Sequence, residues 1–198
     1  MDGVIFGVGG ALVLTLIIGL VVAGVLGYNR LSMLNDLVGE ARRQLERTLA
    51  QRHEIVPDFL AAVRRDGNRS TALIESVMSV RERALSAGTL EERGQLEQEF
   101  SGVLLGVGPD RARTMRENRD EAGSALRHEL VRLDGRIAAS ARYYNVHVER
   151  FNARRNTLTG RILGSRFAPA STFPFRSADN ERRGELTGNV PGVDGSQQ

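Results

Sequence analysis

The sequence predicts an all-α protein: a single N-terminal transmembrane helix followed by an antiparallel bundle of long, short, short and long helices. Three observations carry this. Val4 to Leu26 is an unbroken uncharged run. After Tyr28 the apolar residues recur at alternating spacings of three and four. Gly and Pro then cut the chain at three places. These divide it into a short tail (1–3), a span (4–27), a helical domain (28–165) and a mostly disordered C-terminal tail (166–198).

As a helix, the apolar run covers about 34 Å at 1.5 Å per residue, enough for the roughly 30 Å hydrocarbon core of a bilayer. Its one polar side chain, Thr15, can bond back to its own helix. No basic residue precedes the run, and it is longer than a signal-peptide core. An uncleaved anchor is expected. Arg30, Arg42, Arg43 and Arg47 follow the span. By the positive-inside rule the N-terminus lies outside and the helical domain in the cytoplasm, the opposite orientation being the alternative. Gly19, Ala23 and Gly27 recur every fourth residue, a candidate face for helix pairing in the membrane. The competing explanation is that Gly is common in membrane helices.

The first soluble helix carries the stripe Leu31, Leu34, Val38, Ala41, Leu45, Thr48, Arg52, Ile55, Phe59 and Ala62. Leu37, Leu49, Val56, Leu60 and Val63 widen it, so it meets more than one neighbour. Pro57 should kink it by removing a donor, and Gly67 and Asn68 should end it. Arg52, on the apolar stripe, either meets an acid across the bundle or snorkels to water.

Ser70 is placed to cap a second helix with Leu73, Ile74, Val77, Val80 and Leu85, stopped by Gly88. Thr89 and Glu92 have capping-box spacing for a third, with Leu96, Phe100, Val103 and Leu104. Gly106, Gly108 and Pro109 break it. The last helix runs from about Asp110 to Thr157, with the stripe Leu126, Leu130, Leu133, Ile137, Ala141, Tyr144, Val148 and Phe151. Its first part is polar on all sides and either projects or frays.

Composition removes several functions. Without Cys there is no disulfide, thiolate or cysteine metal site. Every basic residue is Arg, so Schiff-base, P-loop and kinase lysines are excluded. The all-Arg set also fits a GC-rich bacterial coding bias. A pI near 10.1 accompanies a net charge of only +3, because Arg does not titrate. Alternating signs over residues 30–66 describe a solvated helix face, not a nucleic-acid interface. Neither His53, His128 nor His147 follows a Glu by three, so a di-iron carboxylate pattern is missing. No catalytic, cofactor or metal residues are assigned.

Several segments then resemble the LemA family. Tyr28-Asn29-x-Leu31 running into Val38-x-Glu40-Ala41 is similar to its anchor junction. Arg52-x-x-x-Ile55-Val56-Pro57-x-Phe59-Leu60 resembles its first-helix motif. Arg136-Ile137-Ala138, Ala141-Arg142-Tyr143-Tyr144-Asn145, Val148 and Phe151-Asn152 resemble its last-helix signature most closely. Gly164-x-x-Phe167-x-Pro169 with Phe173 and Phe175 is similar to its terminal segment. The resemblance covers the anchor junction and both long helices; residues 66–127 match poorly. It implies an antiparallel bundle on one anchor and a loose link with the bacterial envelope and signalling, and it implies little about activity, because the family has no established catalytic chemistry.

Asn145 and Asn152 lie seven apart on one face, beside Arg142, Tyr143 and Tyr144. Arg142, Tyr143, Asn145 and Asn152 form a candidate polar strip for a partner; alternatively the Asn pair bonds across to a neighbouring helix and fixes register. The aromatic and Arg-bearing stretch from Thr159 touches the membrane surface, caps the bundle or is disordered. The functional expectation is a non-enzymatic, membrane-anchored scaffold binding protein partners or further copies of itself. A signalling component coupling the span to the cytoplasmic helices is the alternative.

Overall fold

The computed structural model describes residues 2–65, 71–107, 121–157, 161 and 166–177; side chains are not described for 2–9, 105, 121 and 122. The expected all-α order is present: α1 (Asp2–Arg65), α2 (Thr71–Ser86), α3 (Leu90–Gly106) and α4 (Glu121–Arg155). At 1.5 Å per residue the 64 residues of α1 span about 96 Å. The expected caps at Gly67, Asn68 and Ser70, the breaks at Gly108 and Pro109, the polar stretch 110–120 and the tail beyond Ser177 lie outside the described residues.

The chain gathers into two compact units. Unit 1 comprises Met1–Arg42 with Val146–Ala170. In it, Leu12 to Leu26 of α1 expose their large apolar side chains, Leu12 by 67% and Ile17 by 50%. This stretch is long and apolar enough to cross a membrane. The Thr15 hydroxyl donates to the Ala11 carbonyl at 2.8 Å, as a lone polar group there requires. Beyond it, Leu31, Val38 and Ala41 of α1 are buried, as are Val148 and Phe151 of α4. The Phe167 ring lies 5.8 Å from Tyr28 and 6.3 Å from Phe151.

Unit 2 comprises Arg43–Asn145 with Ser171–Gln198. Its core joins all four helices: Val56, Phe59 and Leu60 of α1, Ile74, Val77 and Val80 of α2, Phe100 and Leu104 of α3, and Leu130 of α4. The register of these contacts gives the directions. Arg52 meets Glu97 and Asp134, while residues 56–60 meet Phe100 and Leu104 but Leu130. Within this unit α1 and α3 therefore run the same way and α4 runs against them. Only a short turn joins α2 to α3, whose contact is extensive.

Local chemistry explains the helix ends. The Thr89 hydroxyl accepts from the Glu92 amide at 3.1 Å, the expected N-cap of α3. The Glu92 carboxylate reaches back to the Gly88 amide at 3.1 Å, one residue before the usual partner of a capping box. On α2 the buried row is Ile74, Val77, Val80 and Ala84; Leu85, expected in the stripe, is 49% exposed. Ala84 falls four after Val80 and closes the row, so Leu85 is rotated out.

Pro57 remains inside α1. It has no N–H to give the His53 carbonyl one turn back. Arg81 of α2 supplies the missing donor, with its Nη2 3.2 Å from that carbonyl. A sequence feature that weakens one helix thus creates a docking point for the next.

Candidate functional site

Arg52 is fully buried in unit 2, although its position on the stripe calls for an apolar side chain. Its environment explains this. Nη2 donates to the Glu97 carboxylate and, at 3.4 Å, to the Glu97 carbonyl. Nη1 donates to Ser101 Oγ at 2.5 Å and to Asp134 Oδ1 at 3.3 Å. The Ser101 hydroxyl donates in turn to Asp134 Oδ1 at 2.5 Å. The guanidinium carbon lies 5.0 Å from the centroid of Phe100 and 5.5 Å from that of Phe175. Rings near a desolvated guanidinium add cation–π attraction to the ionic contacts.

His53, the next residue of α1, places Nε2 2.8 Å from Glu97 Oε1 and lies over Phe100 at 5.2 Å. Arg93 Nε stands 3.7 Å from the same carboxylate oxygen. Two guanidinium groups and two carboxylates therefore meet. Burial pushes the Glu97 carboxyl up, but the hydrogen bond with His53 and the charges and bonds of Arg52 and His53 outweigh it, holding the group below its ordinary value.

Residues 171–177 close this cluster as an extended strap. Phe173, Phe175 and Ser177 are buried, and Pro174 and Arg176 between them are exposed. The Ser177 hydroxyl donates to Asp134 Oδ2 at 2.7 Å. The helices hold the strap chiefly by its main chain. Asn145 is bidentate: its Nδ2 donates to the Phe173 carbonyl at 3.0 Å, and its Oδ1 accepts from the Phe173 amide at 2.8 Å. Tyr144 donates to the Ser171 carbonyl at 2.8 Å, and Gln98 accepts from the Arg176 amide at 2.7 Å. Gly94 makes the close approach possible. A Cβ there would lie 2.6 Å from Pro174 Cδ and 2.9 Å from Pro174 N.

Unit 1 repeats the device once. Asn152 Nδ2 donates to the Ala170 carbonyl at 2.8 Å and Oδ1 accepts from the Ala170 amide at 3.1 Å. Arg155 Nε donates to the Phe167 carbonyl at 2.8 Å.

The LemA family pattern matches residues 41–186, most of the chain. The chain belongs to the LemA family. No curated protein matches it. The match begins at Ala41, the last residue of the junction motif, and takes in the middle helices, where the resemblance of individual motifs is poor. It covers every residue of the Arg52 cluster, the strap and both clasping asparagines.

Of the residues singled out from sequence, this LemA protein separates the polar strip. Asn145 and Asn152 grip extended backbone, whereas Arg142 and Tyr143 are exposed on α4. Neither asparagine amide's described bonds cross to a helix, so the register explanation is replaced by a strap-holding one. In the span, Gly19 and Ala23 are exposed, with nothing within 4 Å of a Cβ built at Gly19; Gly27 is buried. Phe173 and Phe175, two of the aromatics considered for the membrane surface, lie inside unit 2. The ordered run 171–177 likewise shows that the tail marked as mostly disordered begins with a packed segment.

Glu97, Ser101, Asp134 and Ser177 were not singled out from sequence. A signal existed: Glu97 lies three before Phe100, and Asp134 lies four after Leu130 and three before Ile137. Both acids therefore stand on apolar stripes, as Arg52 does.

Proposed function

We propose that this LemA protein is a membrane-tethered helical scaffold that presents its helix faces to protein partners, without catalysis. One observation carries the reading. The apolar side chains from Leu12 to Leu26 face outward, on the same α1 that supplies Leu45, Leu49, Arg52 and Val56 to a packed core. Lipid around the first stretch turns that exposure from a liability into an anchor. An anchor confines the helical domain to a layer beside the bilayer and raises its effective concentration for other membrane-bound proteins. The buried cluster supports a structural role for its charged groups. Arg52, Glu97 and Asp134 are each at most 4% exposed, which leaves no open face for a substrate.

The orientation follows from Arg. Unit 1 carries Arg30, Arg150 and Arg166 exposed, in the stretches flanking Tyr28, Phe151 and Phe167. Such a set favours the cytoplasmic leaflet, where anionic lipid attracts it.

The chain has no Cys, so single cysteines test this directly. Arg142→Cys in intact cells should resist a membrane-impermeant maleimide and react after lysis. A chain that washes from membranes without detergent would overturn the anchor. Crosslinking from position 143 in native membranes should yield discrete protein adducts; a chain that captures nothing overturns the scaffold.

Signalling is the second reading, favoured by the continuity of α1 from the apolar run to Arg52. Leu substitutions at Gly19, Ala23 or Gly27 that change the reactivity of cysteines around the Arg52 cluster would select it over passive tethering.

A further inference from the structure

On the surface of unit 2, Arg83 pairs with Glu99 and Arg132 with Glu129. The arginines of unit 1 beside the apolar run are arranged differently. No hydrogen bond or ion pair joins the side chain of Arg30, Arg150, Arg154 or Arg166 to another described residue. The sequence leaves them without local acids. Three and four positions from Arg30 stand Leu26, Gly27, Met33 and Leu34. Around Arg150 the same positions hold Val146, His147, Ala153 and a second arginine, Arg154. From Val146 to Ala170 the one acid is Glu149. At 3.6 residues per turn it stands about 140° around α4 from Arg154, on the other flank.

The packing of unit 1 brings these cations to one level. Tyr28 is the second residue after the apolar run, and the Phe167 ring links it to Phe151 at 5.8 and 6.3 Å. Arg155 donates to the Phe167 carbonyl, and Asn152 holds both main-chain groups of Ala170, so this level is fixed by hydrogen bonds as well. Arg166 adjoins Phe167, Arg150 and Arg154 lie within one turn of Phe151, and Arg30 is two residues past Tyr28. Arg150 and Arg154 share a helix face at i,i+4, where like charges repel unless an anion lies between them.

We propose that this patch binds the phosphates of anionic phospholipids, so that the end of α4 makes a second, lipid-selective attachment beside the span. This rests on the tethered reading above. When Val4–Leu26 fills the hydrocarbon, the headgroup layer begins where Tyr28 and the patch stand. Guanidinium groups match phosphate oxygens in paired, charge-assisted hydrogen bonds. A zwitterionic headgroup brings its own ammonium to the site, whereas an anionic one leaves its charge for arginine. Lipid already in the plane of the anchor meets the patch at high effective concentration, without recruitment from solution. The span then holds the chain in the membrane, and the patch selects the lipids around it.

The test uses the full-length chain reconstituted in phosphatidylcholine vesicles containing a minority of phosphatidylglycerol. Ala168→Cys, exposed beside Phe167 in a chain with no other cysteine, carries a fluorescent donor. A trace of one lipid or the other bears an acceptor on its acyl chain. Energy transfer to phosphatidylglycerol should exceed transfer to phosphatidylcholine. Arg150→Gln, Arg154→Gln and Arg166→Gln should each lower that preference about fivefold, the equivalent of about 1 kcal/mol per arginine at a lipid surface. Arg142→Gln removes the same charge about 18 Å along α4 from Arg154 and should leave the preference unchanged. Equal transfer to the two lipids, or an equal fall with Arg142→Gln, overturns the proposal. Arg166 lies outside α4, so its variant decides the matter if a change on the helix disturbs folding. Loss of the preference on adding inorganic phosphate or polyglutamate at matched ionic strength overturns lipid as the occupant. Resistance to alkaline extraction is scored on the same vesicles. A chain that washes out overturns the anchor, and one that stays without a lipid preference overturns the patch alone.

Discussion

Two stretches of α1 depart from the ordinary burial rule in opposite directions. Leu12 to Leu26 keep leucine, valine and isoleucine outside; Arg52 keeps a guanidinium inside. In the proposed membrane-tethered reading the first departure is resolved by a different solvent, since lipid is as apolar as the side chains it would face. The second is resolved by partners assembled in advance: Glu97, Ser101, Asp134 and the rings of Phe100 and Phe175. A continuous helix can therefore obey two solvation rules if each stretch has its own surroundings. Helix propensity does not explain the difference, because the Val, Ile and Gly of the first stretch are weaker helix formers than Arg, yet both stretches are helical.

The sharpest way to break this comparison is to remove the buried cation. Arg52→Met leaves Glu97 and Asp134 facing each other's charge in a dry core and should cost about 3–5 kcal/mol. Replacing Arg52, Glu97 and Asp134 together by Met, Met and Leu should cost less than the single change, because the fully buried charges go together, although the part-buried Arg93 and the His53 ring lose their Glu97 partner. Urea unfolding in detergent measures both. Equal or greater loss in the triple variant would show that the ion cluster itself stabilises the fold beyond its own desolvation.

The complementary change puts a charge in the exposed apolar stretch that the proposal surrounds with lipid. Ile17→Arg should weaken membrane insertion by about 2.5–3.5 kcal/mol, read as the fraction resisting alkaline extraction. The same substitution at an exposed soluble position such as Val131 should have little effect. An Ile17→Arg chain that inserts as well as the parent would remove the case for lipid at that position.

Glu97 gives the comparison a pH axis. Its folded-state carboxyl is held below the ordinary value. The ionised form is thus favoured by folding, and the stabilisation is present above the unfolded carboxylate range, near 4.3. It is lost as pH falls through the lowered folded value. Wild type should exceed Glu97→Gln in denaturation midpoint at pH 7, and the gap should narrow in acid. A gap that widens on acidification would reverse the sign of the linkage and the assignment of Arg52 and His53 as its cause.

How much of this was legible beforehand follows the same division. The span needed only composition, and the helix order needed periodicity and breakers such as Gly88 and Gly106. Arg52 was visible as an exception on its stripe. Its partners were not, because choosing Glu97 over the neighbouring Glu91, Glu92 and Glu99 requires knowing which turn of α3 meets which turn of α1. The strap was hidden for a different reason. Its buried residues alternate as Phe173, Phe175 and Ser177, a period of two, in a chain otherwise read at 3.6. Asn145 was noticed for its place on α4, but an amide's preference for extended backbone over a helix is set by what lies opposite.

The smallest effect separates local helix chemistry from tertiary compensation. Pro57 leaves the His53 carbonyl without its helical donor, and Arg81 fills the vacancy at 3.2 Å. Arg81→Met should cost about 1 kcal/mol, the usual net worth of an intramolecular hydrogen bond. In a Pro57→Ala background the restored amide takes over that carbonyl, and Arg81→Met should cost almost nothing. Denaturant midpoints of the two single variants and the double variant give the coupling directly. Additive losses would mean that Arg81 acts through packing against α1, and that the proline's missing hydrogen has no bearing on how α2 docks.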